Sequence, residues 1–145
     1  MAPFVVTRTL HINAHRSAVW AALTEPHLIA EWFSDLATID LRVGGAGSLT
    51  WDRWGRRNLV VAEIDEPSVF AFRWPHGVDL DPATAPATLV RFTLEDADGG
   101  TRLTVVETGW EVFGDEAAAF SVENAGGWVE ELDELQSFLE KQDSV

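Results

Sequence analysis

A chain of 145 residues is the size of one domain, able to bury about two-thirds of the surface that its unfolded form exposes. Twenty-four Asp and Glu against ten Lys and Arg give a net charge of −14, which repels phosphate and makes nucleic acid and anionic membranes poor partners. The absence of Cys excludes disulfides, thiol nucleophiles and Cys-ligated zinc, while seven Trp and eight Phe, with no Tyr, need a place in a core or a pocket wall.

The opening MAPFVVTRTLHI has no basic segment followed by an apolar run, so no signal peptide is expected. No stretch approaches the roughly 20 apolar residues of a membrane helix, and a cytoplasmic location is the expectation. Without a repeat, linker or low-complexity tract, residues 1–145 read as a single domain.

Residues 4–12 alternate: Phe4, Val6, Arg8, Leu10 and Ile12 share one face of a predicted strand, and Thr7, Thr9 and His11 the other. Val19, Trp20 and Leu23 then recur at helical spacing over 17–24, and Pro26 opens a second short helix ending near Trp32 and Phe33. From 37 to 108 the texture is strand and turn. Strands are predicted at 38–43, 48–54, 57–66, 68–74, 87–96 and 101–108. Gly44, Gly45 and Gly47 form a turn or bulge after the first of these, and Asp98-Gly99-Gly100 is a hairpin turn signal. Connections this short make sequential strands antiparallel neighbours. Asp115 is the expected N-cap of a long final helix. Its apolar stripe is Ser121, Ala125, Trp128, Leu132, Leu135 and Leu139, with the carboxylates mostly elsewhere. Gly126 and Gly127 interrupt that helix at a cost of roughly 1 kcal/mol each relative to Ala, as they would where a ligand or backbone comes close.

The predicted fold is therefore α+β. A curled antiparallel sheet of about seven strands wraps a long C-terminal helix, and two short helices after strand 1 plug the open wedge.

Several segments carry a resemblance. They are Arg8-Thr9-Leu10-His11-Ile12-Asn13-Ala14 with Val19-Trp20-Ala21-Ala22-Leu23-Thr24; Pro26 with Leu28, Glu31, Trp32 and Phe33; Val43-Gly44-Gly45; and Gly127-Trp128 with Leu132 and Leu135. In this order the chain resembles the helix-grip fold of the START and birch-pollen-allergen superfamily, SRPBCC. Within it, the chain is similar to the family named for homology to the activator of the 90 kDa heat-shock protein ATPase. The resemblance implies a cavity between sheet and helix, and a superfamily that includes ligand carriers, cyclases and chaperone co-factors. The chaperone activator has an additional N-terminal domain to which no segment here corresponds. Many relatives carry His where this chain has Glu107.

On this reading Trp32, Phe33, Trp51, Phe72, Trp74, Phe92, Phe120 and Trp128 either line a ligand pocket or form ordinary core; Trp20 reads as core. Glu107 shares parity with Leu103 and Val105 and should point inward. In the resembled fold the first and last strands are neighbours, so Arg8 can face Glu107, as a structural ion pair or as a polar anchor for a ligand. His76 is either an exposed loop residue or a group at the cavity mouth. The four His show no metal-ligand spacing, so neither metal nor cofactor is expected. Arg53, Arg56 and Arg57 form the one basic cluster, as charge balance for the acidic helix or as a docking patch.

The expected function is a cytoplasmic binding domain, not an enzyme, for a small hydrophobic or amphipathic molecule, with homodimers as a further expectation from an open edge strand. The alternatives are a cyclase, aromatase or hydrolase using Glu107 as its base, and a stress or chaperone co-factor.

Overall fold

The structure, a computed structural model, describes residues 4–142. Met1 to Pro3 and Asp143 to Val145, including the first residues of the leader reading, lie outside them. Seven antiparallel strands form one sheet: β1 (Val6–Ile12), β2 (Leu36–Ile39), β3 (Ala46–Trp51), β4 (Gly55–Asp65), β5 (Val69–Pro75), β6 (Ala87–Ala97) and β7 (Gly100–Thr108). Their order is β1-β7-β6-β5-β4-β3-β2. Only the first connection leaves the meander. It runs through α1 (Arg16–Thr24) and α2 (Pro26–Trp32) and carries the chain from one edge strand to the other. The long helix α3 (Ala117–Gln142) lies in the curl.

Local chemistry accounts for the turns. Asp98 and Gly99 take positive φ of 49° and 81°, the pair of left-handed residues that a tight hairpin between twisted strands requires. The strand predicted over 38–43 ends at Ile39. There the chain folds back so tightly that a Cβ on Gly45 would lie 2.0 Å from the Asp40 carbonyl oxygen. Between Val61 and Glu63 the register of β4 against β5 shifts, and this bulge adds twist to the centre of the sheet.

The inner face of the sheet follows the alternation read from the sequence. Leu103, Val105 and Glu107 on β7 and Val90, Phe92 and Leu94 on β6 are all buried. Against them α3 sets Ser121, Trp128, Leu132, Leu135 and Leu139, with Ala125 packed alongside. The start of α3 departs from expectation. Asp115 does not cap it; Trp110–Glu116 is a 3₁₀ helix, and Gly114 (φ 58°, ψ −126°) breaks the path before Ala117. No helix among the described residues is long and apolar enough to cross a membrane.

Candidate functional site

The core is not uniformly filled. Around Trp32, Phe72 and Phe92 the enclosed free space is about 10 Å³, too small for any ligand. One strand-end further along, a cleft of about 580 Å³ opens between the β4–β5 end of the sheet, the end of α2 and the middle of α3. Phe33, Trp51, Trp54, Trp74 and Trp128 supply its rings, and Arg57, His76, Glu123, Glu130 and Glu131 its titratable groups.

Gly126 and Gly127 form part of the wall on α3. A Cβ built on either would meet nothing within 4 Å. These glycines therefore leave the cleft open; they do not admit a packed backbone.

Behind the rings lies Glu107, which is 0% exposed. Four donors converge on its carboxylate. Trp74 Nε1 donates to Oε2 at 2.9 Å and Trp128 Nε1 to Oε1 at 2.9 Å. The Thr88 hydroxyl donates to Oε2, and Asn124 Nδ2 lies 3.1 Å and 3.2 Å from the two oxygens. The lone-pair positions of a carboxylate are thereby taken. The shell draws on β5, β6, β7 and α3, so one side chain ties three strands to the helix. It also fixes the two indoles that face the cleft. Trp74 and Trp128 stack at 5.9 Å, and Phe33 stacks on Trp128 at 5.6 Å. Trp51 donates its own Nε1 to the Phe33 carbonyl oxygen at 2.7 Å.

The expected pairing of Arg8 with Glu107 does not form. Both strand parities are right, but the register sets Arg8 opposite Val105 and Glu107 opposite Val6. Arg8 instead reaches over the edge of the sheet to α3, where it pairs with Asp133 at 2.8 Å and caps the Trp128 and Val129 carbonyls. It lines a separate groove between β1 and α3. The cation close to Glu107 is Arg57. Its guanidinium carbon lies 3.6 Å from the centre of the Trp74 ring, and Nε and Nη2 both donate to the Pro75 carbonyl oxygen. Burial lowers its pKa to about 10, against the support of Glu107 and Glu123, so it stays charged at neutral pH.

His76 is no exposed loop residue. Its ring stacks on Phe120 at 3.9 Å between centroids, and Nε2 is 3.7 Å from Glu123. Burial, followed by the charge of Arg57, pushes its pKa below the ordinary imidazole value, which keeps it neutral at pH 7. Glu131, in the wall two turns beyond Glu123, behaves oppositely. Burial first, then the charges of Glu134 and Glu130, raise its pKa to about 7.

Of the residues expected around a ligand, Phe33, Trp51, Trp74 and Trp128 therefore line the cleft. Glu107 stands behind its wall, and Phe120 backs His76. Trp32, Phe72 and Phe92 belong to the filled core, and Arg8 lies on the far side of α3. Sequence reasoning reads Arg57 only within the basic cluster, as charge balance or a docking patch, and assigns no site role to Asn124 or Glu131, although each carries a signal. Arg57 has the parity of Leu59 and Val61, and Asn124 and Glu131 stand four before and three after Trp128. With its carboxylate enclosed, Glu107 does not present the open base that the enzymatic alternative assigned to it.

A curled antiparallel sheet gripping one C-terminal helix, with a ring-lined cleft between them, defines the helix-grip architecture of the SRPBCC class. Within that class the chain belongs to the family described as activator of Hsp90 ATPase homolog 1-like protein, whose model matches residues 13–140. No curated protein sequence matches it. Among solved structures it is similar to protein MLL2253 from Mesorhizobium loti, with a TM-score of 0.81 and 25% identity over 95% of this chain and 98% of that one. CalU16 from Micromonospora echinospora superposes with a TM-score of 0.74 at 24% identity, over 93% of this chain and 75% of the other. The Aha1 dimer from Colwellia psychrerythraea gives 0.76 at 18% identity, over 94% and 96%.

Proposed function

We propose that the protein is a cytoplasmic binding domain that holds a small amphipathic molecule with a flat apolar part in the cleft between sheet and α3. The observation that carries this reading is the pair Gly126-Gly127. A mid-helix glycine pair lowers helix stability by roughly 2 kcal/mol relative to alanine, yet nothing packs where its side chains would be. The space it keeps open is ringed by Phe33, Trp51, Trp74 and Trp128 and has the size of ordinary small-molecule sites. Two of those rings are fixed by charge-assisted hydrogen bonds to Glu107, so the wall is set before any ligand arrives.

The test uses N-phenyl-1-naphthylamine, a neutral probe excited by energy transfer from Trp. Saturable binding with a stoichiometry near one is expected, and it should be lost in Gly127→Leu, which fills the cleft from a good helix-forming residue. Absence of saturable binding up to the solubility of the probe would sink the proposal, as would unchanged binding in the leucine variant.

A further inference from the structure

The charges of the cleft are unequal. Arg57 and His76 face it from β4 and from the loop after β5, and Glu123, Glu130 and Glu131 face it from α3, with Glu107 behind the wall. His76 is neutral at pH 7, so a single guanidinium stands against several carboxylates. That guanidinium is partly engaged, with its flat face on Trp74, Nε and Nη2 donating to the Pro75 carbonyl oxygen, and Glu107 and Glu123 acting on it. Glu130 and Glu131 have no such partner. Among the described residues, none of the ion pairs involves either one, and neither accepts a side-chain hydrogen bond. They lie in the same wall as Trp128, whose indole is three residues from Glu131 on the helix.

Aromatic rings beside unpaired carboxylates are the surroundings that a cation seeks. The π face carries negative potential, and the exposed Glu130 and, above its pKa of about 7, the half-buried Glu131 add negative charge beside it. We infer that the cleft selects an amphipathic organic cation, with its flat part among Phe33, Trp51, Trp74 and Trp128 and its ammonium group toward Glu130 and Glu131. This rests on the binding function proposed above and specifies the ligand's charge. Two further observations agree. Burial, and after it the charges of Glu134 and Glu130, lift Glu131 to a pKa of about 7, and a cation bound beside it would offset that cost of ionisation. The net charge of −14 draws cations toward the protein and turns anions away.

Three probes of one shape test it: (1-naphthylmethyl)trimethylammonium, its neutral isostere 1-neopentylnaphthalene, and 1-naphthylacetate. Titrations followed by Trp fluorescence should show the permanent cation binding about tenfold more tightly than the anion at pH 8, and more tightly than the neutral isostere. The double variant Glu130→Gln, Glu131→Gln should weaken the cation about tenfold and leave the isostere unchanged. In the wild type, preference for the cation should shrink as pH falls from about 8 to about 5.5 and Glu131 takes up its proton. Equal or tighter binding of the anion would overturn the inference and point to Arg57 as the anchor. Cation affinity that survives the double variant would overturn it too. If N-phenyl-1-naphthylamine binds and the cation does not, this inference fails while the binding function stands; if none of the four probes binds, both fail.

Discussion

Replacing Glu107 by Gln preserves the shape of the side chain and removes its charge. One oxygen becomes an NH₂ group that must face donors. On the Oε1 side it would meet Trp128 Nε1 and Asn124; on the Oε2 side it would meet Trp74 Nε1, the second contact of Asn124, and a Thr88 hydroxyl that can rotate to accept. The second placement does less damage but still strands the Trp74 indole N–H in a buried site, at about 1–3 kcal/mol. The remaining bonds pass from a charged to a neutral acceptor and lose about 0.5–1 kcal/mol each. Release from burying a carboxylate offsets part of this, leaving a net destabilisation of about 3 kcal/mol. For a domain of this size that lowers Tm by about 10 °C. Urea and thermal unfolding, followed by circular dichroism, measure both quantities. Thr88→Val, which removes one donor and leaves the charge, should cost less, about 1–2 kcal/mol. A Glu107→Gln variant within 1 kcal/mol of wild type would refute the idea that the carboxylate pins β5, β6, β7 and α3 together.

Two further outcomes follow from the wall of the cleft. Gly126→Ala and Gly127→Ala should each raise stability, by about 1 kcal/mol, because the helix gains and no atom lies within 4 Å to clash; unfolding midpoints that fall instead would show that the open space is misjudged. Glu131→Gln should be stabilising at pH 8 and neutral at pH 4. A raised carboxyl pKa means that the folded state holds the proton more tightly, so wild-type stability falls as pH rises from about 4.5 through about 7. Half-exposed as Glu131 is, solvent screening limits the gain at pH 8 to about 1–2 kcal/mol. Chemical unfolding at the two pH values checks this, and equal curves for wild type and variant at pH 8 would contradict it.

Face was legible in the sequence; depth was not. The two-residue alternation of β6 and β7 placed Phe92, Leu103, Val105 and Glu107 inward, and the 3.6-residue repeat of α3 placed Trp128, Leu132, Leu135 and Leu139 against them. Yet Phe72 and Trp74 share a face of one strand, and the first is sealed in the core while the second borders the cleft. Parity cannot separate them, because that depends on where α3 and α2 end over the sheet. Arg8 failed for a related reason. Its direction was right, but its partner was set by the β1–β7 register and by the nearness of α3 at the sheet edge. Arg57, Thr88 and Asn124 were within reach of the same periodicity, since Thr88 stands in step with Val90, Phe92 and Leu94. Periodicity applied to Arg8 and Glu107 but not to these three leaves them without a place, whereas polar residues on an inner face are the ones that carry chemistry.

Glu107 links these features. A carboxylate accepts and never donates, so it is tolerated inside the sheet only because four side chains aim donors at it and none competes as an acceptor. Two of those donors are indoles, and an indole held by its N–H turns its ring to a fixed place. The buried charge thus does two things at once: it makes Trp74 and Trp128 rigid walls of the cleft, and it sets a negative charge behind them that Arg57 must answer. With Arg57 answering Glu107 and Glu123, and His76 kept neutral, Glu130 and Glu131 reach the cleft from α3 with no cation of their own among the described residues. The acidity visible in the composition thereby extends from the outer face of the helix into the cleft, to Glu130 and Glu131. There it adds negative charge to the space that the proposed ligand would enter.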